Sequence, residues 1–209
     1  MIKLIIFDLG KVILDFSHRD IAEGLAPFSA APGYQDPDNI LDHMFNNGAV
    51  IVNLYEEGRI TSEEFFSYIR ETYRLDISFL HFKQVWNEIF TENKGVTELI
   101  ERLKKEIPIF LLSNTNELHF EYVKKKFPIV HKFDKWILSY ETGMRKPCPE
   151  IFQTALGKAG VLPAEAIFID DIREHVVGAQ GLGINAVEFK SVEQATIYIE
   201  EKIYESAKR

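Results

Sequence analysis

Four short runs of the 209-residue chain are apolar without interruption, a fifth is broken only by Asn185, and each stops at polar residues. They cover residues 4–7, 107–112, 136–138, 166–169 and 184–187. The stops are Asp8-Leu9-Gly10, Ser113-Asn114-Thr115, Ser139, Asp170-Asp171 and Glu188. Apolarity at every position, rather than every second one, predicts strands buried on both faces, as inside a parallel sheet. Between the runs the period changes to that of a helix. Over residues 95–106 the apolar set is Val96, Leu99, Ile100 and Leu103. Further helices are predicted over 117–126, which ends in lysines, and over 149–159, which opens with Pro149-Glu150 and stops at Gly160. Residues 173–182 and 192–207 complete the set. Strands alternating with helices predict a doubly wound, Rossmann-like α/β core with right-handed crossovers.

Residues 16–92 follow another pattern, with no strong buried strand and with short amphipathic stretches over 17–25, 40–45, 61–73 and 79–90. Thr61 with Glu64 has the spacing of a capping box. Residues 30–39 hold two prolines, a glycine and two aspartates, and predict a loop. The expected organisation is an α/β core of residues 1–15 and 93–209, with a helical cap, 16–92, inserted after the first strand.

Composition narrows the function. With 46% apolar residues the chain can bury a sizeable core. A net charge of −8 argues against a nucleic-acid or polybasic membrane protein. No apolar run reaches the roughly 18 residues of a membrane helix, and the apolar start is too short for a signal peptide. The single cysteine, Cys148, excludes an internal disulfide and a cysteine zinc cage. These features lead us to expect a cytoplasmic protein.

Three polar clusters follow three separate buried strands: Asp8-Leu9-Gly10, Ser113-Asn114 and Asp170-Asp171. In a parallel sheet all strand C-termini share one edge, where such sheets bind ligands. Lys146, just before the helix that opens at Pro149, can add a fixed cation. Carboxylates brought together repel one another, and a hard divalent cation such as Mg²⁺ relieves that. A metal, a lysine and hydroxyl or amide donors suit a phosphoryl group. Asp8, opening the turn after the first strand, is the best-placed nucleophile.

The ordered set Asp8-Leu9-Gly10-Lys11-Val12, Leu112-Ser113-Asn114-Thr115, Arg145-Lys146-Pro147 and Phe168-Ile169-Asp170-Asp171 resembles the haloacid dehalogenase-like hydrolase superfamily. The resemblance spans essentially the whole chain, cap included. The wording Asp8-Leu9-Gly10, Leu112 to Asn116 and Gly143 to Pro147 is most similar to the bacterial sugar-phosphatase branch, which includes α-D-glucose-1-phosphate phosphatase.

The resemblance implies Mg²⁺-dependent hydrolysis of a small phosphate monoester, such as a sugar phosphate. Asp8 would be nucleophile and metal ligand, and the Gly10 carbonyl a second ligand. Backbone N–H groups near Leu9 and Gly10, with Ser113 and the Asn114 backbone, would hold phosphate oxygens. Lys146 would neutralise charge, Asp171 would ligate the metal, and Asp170 would ligate or orient beside it.

One position departs from the pattern. Many phosphatases of this family carry an aspartate two residues after the nucleophile as general acid and base, and here that residue is Gly10. Such help is worth typically about 10²–10⁴-fold. A cap residue or solvent would have to supply it, and His18, early in the cap, is a candidate. Two other readings stay open: a phosphate-binding protein without turnover, and a carbon–halogen hydrolase, against which the Asp170-Asp171 pair counts. The bland readings are a surface or ion-paired Arg145, an inert Cys148 thiol, histidines with no metal-ligand spacing, and cap aromatics that mostly fill the cap core.

Overall fold

A computed structural model of the chain describes residues 1–46 and 50–208. The strands are β1 (Leu4–Phe7), β2 (Leu14–Phe16), β3 (Phe90–Glu92), β4 (Ile109–Ser113), β5 (Lys135–Leu138), β6 (Ala166–Asp170) and β7 (Asn185–Glu188). Five of them form a parallel sheet in the order β5-β4-β1-β6-β7. Phe7 sits opposite both Leu111 and Ile169, so β1, β4 and β6 end level with one another. That register brings Asp8, Ser113 and Asp170 to one edge.

The helices are α1 (His18–Leu25), α2 (Pro37–Leu41), α3 (Val50–Glu56), α4 (Ser62–Tyr73), α5 (Phe79–Asn87), α6 (Lys94–Leu103), α7 (Glu117–Lys126), α8 (Ser139–Thr142), α9 (Pro149–Ala159), α10 (Arg173–Gly181) and α11 (Val192–Ala207). Successive strand residues face opposite sides of a sheet, and the core divides accordingly. Ile5, Phe7, Leu111 and Ile169 pack with Ile100 of α6, Val123 of α7 and Ile199 of α11. Leu4, Ile6, Leu112 and Phe168 pack with Phe152 of α9 and Val176 of α10. The doubly wound core expected from the strand–helix alternation is therefore present. A separate apolar cluster joins Ile21, Ile40, Phe65, Ile69, Phe82 and Trp86 of the intervening helices.

The structure differs from the sequence expectation in several places. β2 and β3 pair antiparallel at the two ends of the 16–92 segment. Each is three residues long and only partly buried, so neither carries an apolar run, and each needs a partner distant in sequence. Residues 88–90 accordingly leave the helix expected over 79–90. α3 opens with Val50-Ile51-Val52, a β-branched start that argues against helix in the sequence. α2 begins inside the expected loop, because the Asp36 side chain caps the Asp38 N–H at 3.0 Å and Pro37 occupies the first turn. The Thr61–Glu64 capping box is formed in both directions.

Candidate active site

Asp8 leaves the end of β1 and meets Lys146 at a carboxylate–ammonium distance of 2.6 Å. Lys146 Nζ also donates to Asp170 Oδ2 at 2.6 Å and to the Leu112 carbonyl at 3.0 Å. Its three donors are thus spent on three strand ends, and the residue is only 3% exposed. The Asn114 side chain fixes the Lys146 backbone from both sides: Nδ2 donates to the Lys146 carbonyl at 3.0 Å, and Oδ1 accepts the Lys146 N–H at 2.8 Å. Asn114 therefore holds the lysine loop in place.

Asp170 is fully buried, and Oδ1 accepts the Ile172 N–H at 2.8 Å. The ring of His175 in α10 lies 3.0 Å from the same oxygen. Asp8, Asp170 and half-buried Asp171 offer carboxylate oxygens all within 4.8 Å of one another. Three carboxylates against one ammonium leave two negative charges in a small volume. A divalent, oxygen-seeking cation such as Mg²⁺ fits that donor set.

The electrostatics follow from burial. Removal from water, reinforced by the charges of Asp170 and Asp171, pushes the Asp8 carboxyl up to about 7 despite Lys146. Burial also raises Asp171, with Asp170 adding to the effect. Asp170 is buried too, but Lys146 and His175 outweigh burial and hold it below the usual carboxylate range. Lys146 is kept above its ordinary value by the same two carboxylates, against the opposing effect of burial.

Two cavities open over this edge. An outer one of about 220 Å³ is lined by Asp8, Lys146, Asp171 and His175, with Lys11 and Arg145 at its sides. An inner one of about 50 Å³ is lined by Leu9, Ser113 and Asn114 from the core and by Phe45 and Trp86 from the intervening helices. Gly10, Phe16, His18, Glu56 and Asn114 line both. These volumes are small beside the ~300–1,000 Å³ of typical ligand pockets, which suits a small metabolite. His18 stacks on Phe45 at 4.0 Å, and burial, then Lys11, pulls it down to about 4. Arg145 pairs with Glu56 at 2.9 Å, one of the two outcomes the sequence left open for it. Cys148 is exposed, and its contact with Glu150 holds the thiol above its ordinary value.

The residues singled out in the sequence (Asp8, Leu9, Gly10, Ser113, Asn114, Lys146, Asp170 and Asp171) all gather here. The sequence reading missed His175, Phe16 and Glu56. His175 had a signal, being a polar residue in the first turn of the helix after Asp170-Asp171. Phe16 and Glu56 had none, because they arrive on the two elements, β2 and α3, that the pattern does not predict.

Comparison with known proteins agrees with this architecture. Residues 2–183 match the model of the haloacid dehalogenase-like hydrolase family. The chain is 30% identical over 195 residues to a D-ribitol-5-phosphate phosphatase of Bacteroides thetaiotaomicron, covering 90% of this chain and 92% of that protein. It is 26% identical over 197 residues to a phosphoglycolate phosphatase of Mannheimia succiniciproducens, covering 88% and 84%. Among solved structures, a Bacteroides thetaiotaomicron enzyme of the same family, in complex with magnesium and inorganic phosphate, superimposes with a TM-score of 0.80. The two are 32% identical, with 91% of this chain and 95% of that one covered. The chain belongs to the haloacid dehalogenase-like hydrolases.

Proposed function

We propose that the protein is a Mg²⁺-dependent phosphatase that hydrolyses small sugar or polyol phosphates through an aspartyl-phosphate at Asp8. The observation that carries this reading is the Asp8 carboxylate, held 2.6 Å from a buried Lys146 inside a cluster of three carboxylates at the sheet edge. The names of the two phosphatase relatives and the magnesium and phosphate bound by the similar structure support it.

In this reading Asp8, Asp171 and the Gly10 carbonyl hold the metal, with Asp170 beside them. When bound, the metal neutralises carboxylate charge and polarises phosphoryl oxygens. Lys146 anchors the Asp8 carboxylate and offsets charge that builds on the phosphoryl group. Ser113 and the backbone N–H groups near Leu9, Gly10 and Asn114 bind its oxygens. Asp8 attacks phosphorus, the leaving alcohol departs, and water then cleaves the acyl phosphate. Residues 16–92 act as a cap that covers the reacting centre and excludes bulk water, which strengthens every charge interaction inside.

The test is phosphate release from a panel of sugar and polyol phosphates, phosphoglycolate and p-nitrophenyl phosphate, with Mg²⁺ and with EDTA. The expected result is EDTA-sensitive release that Asp8→Asn abolishes. Tight binding of a phosphate ester with no release from any compound would favour a binding protein instead. Halide release from a 2-haloacid without metal would favour carbon–halogen hydrolysis.

A further inference from the structure

The phosphatase reading leaves one chemical requirement unmet, the proton that the departing alcohol must collect. Position 10 does not supply it, and a side chain there would have to displace its neighbour. A Cβ built on Gly10 would lie 2.7 Å from Cε1 of Phe16. The Phe16 ring is itself held in the β2–β3 ribbon against Phe90, at a centroid distance of 5.8 Å. If a side chain rather than solvent carries the proton, it comes from another wall of the cavities.

The candidates there divide by chemistry. His18 lines both cavities, but a ring pulled down to about 4 by burial carries no proton to donate at neutral pH. His119 is pulled down by burial to about 3, and its ring nitrogens face the Trp86 carbonyl at 2.8 Å and the Asn116 amide at 3.1 Å. Lys146 is held between Asp8 and Asp170. Asp8 and Asp171 belong to the metal cluster, and His175 faces Asp170.

Glu56 remains. It is the last residue of α3 and lines both cavities, so it stands where the inner space meets the phosphoryl site. Arg145 Nη2 lies 2.9 Å from Glu56 Oε2, a contact that a neutral carboxyl oxygen also accepts, and it ties the end of α3 to the residue beside Lys146. Burial holds the Glu56 carboxyl above the usual carboxylate range, even with Arg145 and Lys146 pulling the other way.

We propose that Glu56, brought to the junction of the two cavities by α3, carries the proton that a side chain at position 10 would otherwise carry. This rests on the phosphatase reading. In the first half-reaction an Asp8 oxygen bonds to phosphorus and the bond from phosphorus to the alcohol oxygen breaks. The Glu56 carboxyl gives its proton to that oxygen, releasing the neutral alcohol. In the second half-reaction a water oxygen bonds to phosphorus and the bond from phosphorus to the Asp8 oxygen breaks. Glu56 takes the proton from that water, so inorganic phosphate leaves, Asp8 is again a carboxylate and Glu56 is again a carboxylic acid. No redox partner is needed.

The experiment compares wild type, Glu56→Gln and Glu56→Asp on two substrates: the alkyl phosphate that the wild type hydrolyses best, and p-nitrophenyl phosphate. p-Nitrophenolate leaves without a proton, so only the second half-reaction needs Glu56 with that substrate. Glu56→Gln is expected to lose about 10²–10⁴-fold in kcat on the alkyl phosphate. With p-nitrophenyl phosphate it should give a burst of one p-nitrophenolate per enzyme, then slow turnover as the phosphoenzyme accumulates. Glu56→Asp should recover part of the alkyl-phosphate rate. Equal losses on both substrates with no burst would mean that Glu56 only ties the cap to the core, and would overturn the proposal. So would unchanged rates in Glu56→Gln. If Glu56→Gln fails to fold, Glu56→Asp decides alone: a larger loss on the alkyl phosphate supports the proposal, and equal losses refute it. A wild type that releases no phosphate would instead defeat the phosphatase reading.

Discussion

Replacing Lys146 with methionine removes one positive charge from between two buried carboxylates while roughly keeping volume. Breaking a buried ion pair by deleting one partner costs about 3–5 kcal/mol. The lower end applies here, because Asp170 keeps its contacts with the Ile172 N–H and His175, and because Asp8 can escape by binding a proton. For a chain of about 150–250 residues, each kcal/mol moves Tm by about 2–4 °C, so the expected loss is about 6–12 °C at pH 8. The pH dependence has a definite sign. With Lys146 present, burial already lifts Asp8 from 3.8 to about 7, and without Lys146 it rises further. A carboxyl raised in the folded state favours folding when protonated, and that advantage disappears as pH climbs from the unfolded to the folded value. The variant's deficit must therefore be largest at pH 8 and shrink towards pH 5. Mg²⁺ should raise the variant's Tm more than the wild type's, since three carboxylates then lack any other cation. Calorimetry at pH 5 and pH 8, with Mg²⁺ and with EDTA, measures all of this. A Tm unchanged at pH 8, or a deficit that grows towards pH 5, would refute the reasoning.

Gly10→Ala should lower stability by about 1–3 kcal/mol through overpacking against Phe16, and Phe16→Leu in the same chain should recover much of it; denaturant titration of the single and double variants checks this. Gly58→Ala should be among the most damaging single changes in the protein. Gly58 has φ +64°, and its added Cβ would fall 2.1 Å from the Tyr140 carbonyl oxygen, so poor soluble yield or a loss of several kcal/mol in denaturant titration is expected. His119 is buried neutral, pulled down from 6.5 to about 3, so it contributes stability above pH 6.5 that is lost as pH falls towards 3. At about 1.4 kcal/mol per unit, His119→Phe should flatten the stability–pH curve between pH 6.5 and 4, measured by denaturant midpoints.

How much of this was legible in the sequence depended on range. β1, β4 and β6 could be seen because their buried residues are contiguous, and the level ends of these strands follow from a parallel sheet. That alone carried Asp8, Ser113 and Asp170 to one edge. Lys146 could be anticipated as a cation, but not its three-way bonding, which needs Leu112 and Asp170 from separate strands. Asn114 shows the limit of reading a site from residue type. Its side chain holds the Lys146 backbone, a duty no local pattern reveals. The β2–β3 ribbon and α3 were illegible for a physical reason: half-buried three-residue strands and a β-branched helix start owe their conformation to tertiary packing. The walls of the cavities, Phe16 and Glu56, stand on those elements. The residues gathered at the sheet edge were therefore easier to anticipate than the cavity walls above them.

The proposed reaction passes through covalent phosphorylation of Asp8. Quenching the enzyme in the steady state with a sugar phosphate and Mg²⁺, then reducing with borohydride, converts an aspartyl-phosphate to homoserine. Peptide mass spectrometry then locates it. Homoserine is expected at position 8, dependent on substrate and absent from Asp8→Asn. Full turnover with position 8 unmodified, or with the label on another residue, would contradict it.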